Sequence, residues 1–134
     1  MTQQIGDKMP DGTIFAGISP DTKKPMYATP ADAPLAMRFN EACEYARNLV
    51  AYGHKDWHVP TRAELNVLFN NRAKIGGFTT THSKPSPLGR GGEKHPGWYW
   101  TNSPGRDWSH AQRFSDGWKE EIDELHLLSS RPVR

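Results

Sequence analysis

Apolar and polar positions along the chain change rhythm twice, from strand-like alternation to helical spacing and back again. Thr13 to Ile18 and Pro25 to Ala28 are β-prone runs. The turn formers Ser19-Pro20-Asp21-Thr22-Lys23-Lys24 separate them, which predicts an N-terminal hairpin with Pro25 at a strand end or edge. From Leu35 to Val50, Phe39, Ala42, Cys43, Ala46, Leu49 and Val50 recur at helical spacing, with Glu41, Glu44, Arg47 and Asn48 between them. This predicts a first helix closed near Gly53. Thr61-Arg62-Ala63-Glu64 after Pro60 is a T-x-x-E capping box, and it predicts a second helix with Leu65, Leu68 and Phe69 as its buried stripe.

Thr79 to Gly97 is rich in Gly and Pro and poor in apolar residues, which predicts a long, mobile surface loop. The remainder reads as an antiparallel β half with strands at Trp98 to Thr101, Ala111 to Phe114, Trp118 to Ile122 and His126 to Val133. Asp116-Gly117 is read as a two-residue hairpin turn. The expected class is α+β, in one domain without internal repeats.

Composition narrows the function classes. Only 35% of the 134 residues are apolar and there are 12 Gly and 11 Pro, so the core is small and much of the chain is turn or loop. Five Trp, four Tyr and five Phe partly offset the shortage of aliphatics. The net charge of +2 comes from 17 basic and 15 acidic residues without a block of one sign, which implies no nucleic-acid partner. No stretch approaches the roughly 18 apolar residues of a membrane span. Met1-Thr2-Gln3-Gln4 has no signal pattern, so synthesis in a cytoplasm is expected, with the product staying there or displayed on a virion or cell surface. The single cysteine, Cys43, rules out an internal disulfide and a Cys-rich zinc site.

Four ordered stretches look like one known pattern: Asp56-Trp57-His58-Val59-Pro60-Thr61-Arg62-Ala63-Glu64-Leu65, Tyr99-Trp100-Thr101-Asn102-Ser103, Phe114-Ser115-Asp116-Gly117 and Arg131-Pro132-Val133-Arg134. Over roughly residues 35 to 134 the chain resembles the DUF1566 family, the Legionella collagen-like protein C-terminal domain. The family's usual runs are W-R-L-P-T-x-x-E-L, Y-W-S-S-T, F-x-x-G and V-R-x-V-R. His58 replaces Arg, Thr101-Asn102 replaces Ser-Ser and Ser130-Arg131 replaces Val-Arg; the first departure bears on a buried ion pair and the second lies beside the expected ligand face. The resemblance implies a C-type-lectin-like fold, shared with formylglycine-generating enzymes and the variable proteins of diversity-generating retroelements. It also implies a bacterial or phage setting and a binding role as adhesin or tail-fibre tip. In the retroelement relatives the diversified positions would map to Asn102 to Glu121.

The candidate ligand-binding residues are Asn102, Arg106, Asp107, Trp108, His110, Gln112, Trp118 and Lys119, with Ser109 among them, because Trp and Arg dominate binding hot spots. Trp57, Trp98 and Trp100 are assigned to structure, the last two on one face of a strand. Arg131 and Arg134 are expected to pair with Glu64 or Asp56.

No metal or other cofactor is expected. His54 and His58 have i, i+4 spacing but lie between Gly53 and Pro60, and His82 and His95 fall in the Gly/Pro loop without an acidic cluster. The E-P-N, Q-P-D and W-N-D motifs of calcium-dependent lectins are absent, as is an EF-hand loop. Catalysis is not expected either. Lone Cys43 cannot reproduce the paired cysteines of formylglycine-generating enzymes, and Asp107-Trp108-Ser109-His110 holds triad residue types only as neighbours with diverging side chains. The primary expectation is a display module that recognises a protein or glycan through the β half, compatible with a homo-oligomer. The alternative is a small intracellular regulator or inhibitor, phage-encoded or bacterial, that occludes a host protein.

Overall fold

The computed structural model describes residues 3–84, 93–104 and 108–134. Nine elements follow in order: β1 (Ile14–Ile18), β2 (Pro25–Ala28), α1 (Phe39–Asn48), α2 (Arg62–Asn70), α3 (Arg72–Ile75), β3 (Lys94–Pro104), β4 (Trp108–Arg113), β5 (Lys119–Asp123) and β6 (Leu127–Ser129). The class is α+β, as the order of patterns predicts.

β1 and β2 form the expected antiparallel hairpin, with a register shift at Gly17, whose φ of 104° a side chain would resist. The second helix starts where the capping box places it. Thr61 Oγ1 accepts from the Glu64 amide at 3.1 Å, and Glu64 Oε1 accepts from the Thr61 amide at 3.0 Å. The first helix is shorter than its apolar pattern. Residues ahead of Phe39 are extended because Met37 exchanges both backbone hydrogen bonds with Leu128, at 2.8 and 3.0 Å. Glu41 Oε1 then accepts from the Arg38 amide at 3.0 Å and closes the first turn. Leu49 and Val50 fall beyond α1, and Val50 is exposed.

The larger sheet has the strand order β5-β4-β3-β6. Its β5/β4 and β4/β3 pairs are antiparallel, but β3 and β6 are parallel, which corrects the expectation of an antiparallel half. β6 does not form a hairpin with β5; it lies on the far side of β3. The β4–β5 connection is also longer than a two-residue turn. Arg113 N donates to Trp118 O at 2.8 Å and Gly117 N to Arg113 O at 2.7 Å. Phe114 leaves the strand because its ring is taken into the core by Phe78 and Tyr99, at centroid distances of 4.8 and 4.4 Å. The Gly/Pro segment is shorter than Thr79 to Gly97, since β3 already begins at Lys94. The part that precedes residue 85 is held down: Ser83 O accepts from Trp98 Nε1 and Arg113 NH1, both at 2.9 Å. Residues 85–92 lie outside the described residues.

Alternation along β3 sends its rings to two separate cores. Trp98 and Trp100 pack with Phe39, Ala42 and Ala46 of α1 on one face, together with Ala111, Ile122 and Leu128. Tyr99 packs with Leu65 and Leu68 of α2 and with Ile14, Ala16, Met26 and Ala28 of the hairpin on the other. The last residues join these layers: Val133 bridges both Ala28 and His58. Among the described residues, no helix is long and apolar enough to cross a membrane.

Candidate functional site

The β4–β5 register decides which predicted residues can act together. Trp108 pairs with Asp123, His110 with Glu121 and Gln112 with Lys119, and strand alternation puts these six on one face. Gln112 is buried at the covered end of that face, where its Nε2 donates to Asn66 Oδ1 at 3.1 Å and Gly117 O at 3.3 Å. Toward the open end, His110 Nε2 lies 3.4 Å from Glu121 Oε1, and Trp108 is 46% exposed. Ser109 is buried on the opposite face and its hydroxyl donates to Glu124, so the serine and histidine of Asp107-Trp108-Ser109-His110 diverge.

Trp118 does not join this set. Its ring is 56% exposed and its Nε1 donates to Glu120 Oε1 at 2.8 Å. Glu120 pairs with Ala111, which belongs to the α1-side core, so Trp118 accompanies the other face. Trp108 and Trp118 also stand at opposite ends of the hairpin, roughly 15 Å apart along the strands at about 3.3 Å per residue. One sugar ring cannot stack on both. Asn102 is exposed, and its backbone N–H donates to Pro60 O at 2.9 Å, which ties β3 to the entry of α2. Arg106 and Asp107 lie outside the described residues.

Where α2 meets this face there is a groove of about 520 Å³ lined by Asp21, Thr61, Arg62, Asn66, Ser103 and Lys119. A smaller cavity of about 60 Å³ adjoins it through the shared residues Arg62 and Lys119 and reaches Thr101, His110 and Gln112. The groove therefore offers two cations, hydroxyls and an amide to a ligand. The Asp21 carboxylate accepts from Thr61 Oγ1 and places a negative charge by the start of α2. Arg62 and Asn66 were missed by sequence reasoning: they occupy solvent-side positions of a capped helix, and only its docking beside Lys119 turns them toward a shared groove. A second groove, of about 650 Å³, runs along Trp108 between Arg38, Glu41, Asp123 and Leu125.

The polar anchors behind these surfaces differ from the expected pairs. Arg134 meets Asp56 as expected, through Nε at 2.6 Å and NH2 at 3.0 Å. Arg131 does not reach Glu64; its NH1 lies 3.2 Å from Asp32. Glu64 is occupied by Ser19 Oγ at 2.6 Å and His58 Nε2 at 3.0 Å, so His58 does take part in a polar pair with a buried carboxylate. Burial would raise the Glu64 carboxyl, yet the hydrogen bonds from His58, Ser19 and Thr61 outweigh it and hold the group at about 2. Trp57, Trp98 and Trp100 are all buried, as their structural assignment requires. Cys43 is half-buried against the α1-side core, and desolvation raises its thiol above the ordinary range.

No curated protein matches the chain. The profile of the Lcl C-terminal domain family matches residues 19–134, a span that begins in the N-terminal hairpin and so extends beyond the four motifs. With that match covering most of its length, the chain belongs to the Lcl C-terminal domain family.

Proposed function

We propose that this chain is a non-enzymatic binding module of C-type-lectin-like architecture, of bacterial or prophage adhesin or receptor-binding type. Its ligand is a protein or glycan held on the open β4–β5 face and in the groove beside α2. The observation that carries this reading is the contrast among the tryptophans. Three are buried in the core, while Trp108 stands exposed on the same face as His110 and Lys119. An exposed indole beside grooves lined with polar groups suits recognition better than core formation. The divergence of Ser109 and His110 and the half-buried, unactivated Cys43 also favour binding over nucleophilic catalysis.

The test is a glycan array together with pull-down from host lysate, using the intact chain and Trp108→Ala and Lys119→Ala variants with unchanged circular dichroism. Loss of a captured glycan or protein by at least about tenfold in both variants is expected. A ligand retained by both folded variants would overturn the assignment of this face. Trp118→Ala, run alongside, reports whether the opposite face also contributes.

A further inference from the structure

Side chains from two segments distant in sequence, Glu93 and His95 on one and His126 on the other, converge where β3 meets β6. Lys94 pairs with Leu127, and Leu127 N donates to Glu93 O at 2.8 Å, so the chain positions on either side of Lys94 are brought against His126. One ligand atom from each of Glu93, His95 and His126 lies within 4.8 Å of the other two. The imidazole rings meet edge to face with centroids 4.6 Å apart.

Both rings are nine-tenths or more buried, at 5% and 4% exposure, and among the described residues neither Nε2 of His95 nor Nδ1 of His126 has a hydrogen-bond partner. Buried polar atoms are rarely left unpaired, because the hydrogen bonds they gave up in water are not returned. A metal ion held between the two rings and the carboxylate would supply buried imidazole nitrogens with a partner. The sequence pattern offers His95 no acidic cluster; Glu93 stands two positions before it, and the parallel β3–β6 pairing brings in His126.

We propose that Glu93, His95 and His126 bind one Zn²⁺ ion. Two imidazole nitrogens and one carboxylate oxygen match the borderline preference of zinc, whereas calcium and magnesium demand oxygen ligands throughout. Metal–ligand bonds of about 2.0–2.2 Å put tetrahedral ligands about 3.4 Å apart. Exposed Glu93 is the ligand free to close in on the two buried rings. The ion would pin β3 to β6, next to the shift in their register between Lys94 and Tyr99. The site is separate from the β4–β5 face and does not depend on the binding role proposed for it.

Calorimetric titration of ZnCl₂ into the chelator-stripped, untagged chain tests this, with a parallel titration of Co²⁺ followed by its visible absorption. Saturable binding of one ion per chain, a rise in Tm with zinc and no response to calcium are expected. His95→Ala and His126→Ala should abolish saturable binding, while His54→Ala and His82→Ala leave it unchanged. Glu93 is exposed, so Glu93→Gln keeps the fold and should weaken zinc at least about tenfold. Absence of saturable binding, or binding equally tight in Glu93→Gln, overturns the proposal.

Discussion

Arg131 is fully buried, and its guanidinium meets Asp32 at 3.2 Å over the ring of Phe78, 4.3 Å from the centroid. The same group donates from Nε to Thr29 O at 2.6 Å and from NH2 to Gly76 O at 2.8 Å. Asp32 in turn accepts from the Tyr99 hydroxyl, which itself accepts from the Thr79 amide at 2.7 Å. One side chain thus ties the end of the chain to the segment after β2, to the end of α3 and, through Asp32, to β3.

Removing it takes the counter-charge from the part-buried Asp32 carboxylate, which keeps only the Tyr99 hydroxyl, and strips the Thr29 and Gly76 carbonyls of their guanidinium donor. Arg131→Ala should cost about 3–5 kcal/mol and lower Tm by on the order of 10 °C. Arg131→Lys should rescue little of this, because an ammonium lacks the planar fork that reaches three acceptors. Arg134→Ala, at a partly exposed pair, should cost less than about 1 kcal/mol. Thermal denaturation of the three variants checks the order; an unchanged Tm in Arg131→Ala would refute it.

Glu64 makes stability depend on acid. Its folded-state value of about 2 lies below its ordinary 4.5. Its contribution is therefore complete above the unfolded value and is lost as pH falls from about 4.5 toward about 2. Glu64→Gln should be less stable near neutrality and lose less stability over that window. Tm measured from pH 2 to 7 for both proteins gives the comparison, and parallel curves would rule the mechanism out.

The five tryptophans should separate into two stability classes. Trp100→Ala, in the α1-side core with its Nε1 bonded to Met37 O at 2.8 Å, should cost about 3–5 kcal/mol. Trp108→Ala and Trp118→Ala should stay within about 0.5 kcal/mol of the parent. Urea denaturation decides, and a large loss at Trp108 would mean that its ring serves the fold rather than a ligand.

Gly117 has a φ of 83°, and a Cβ added there would sit 2.7 Å from the Phe69 ring. Gly117→Ala should therefore cost about 1–3 kcal/mol from backbone strain and overpacking together. Gly53 has a similar φ of 77° but open space around it, so Gly53→Ala should show the backbone part alone. Equal losses at the two sites would show that Phe69 yields freely.

Local chemistry was legible along the chain. The hairpin, the Thr61–Glu64 cap and the inward placement of Trp98 and Trp100 each depend on residues a few positions apart, so spacing and residue type determined them. The Arg134–Asp56 pair was also anticipated, from the position of the arginine at the end of the chain. What spacing could not encode was which distant segment lies alongside. The partner of Arg131, the parallel run of β6 beside β3 and the gathering of Glu93, His95 and His126 all follow from the packing of layers. So does the division of the predicted ligand residues, since Trp108 and Trp118 are close in sequence yet accompany opposite faces. A strand's own pattern states that neighbouring side chains alternate, but only the tertiary structure decides which face an α-helix covers and which one stays open to a ligand.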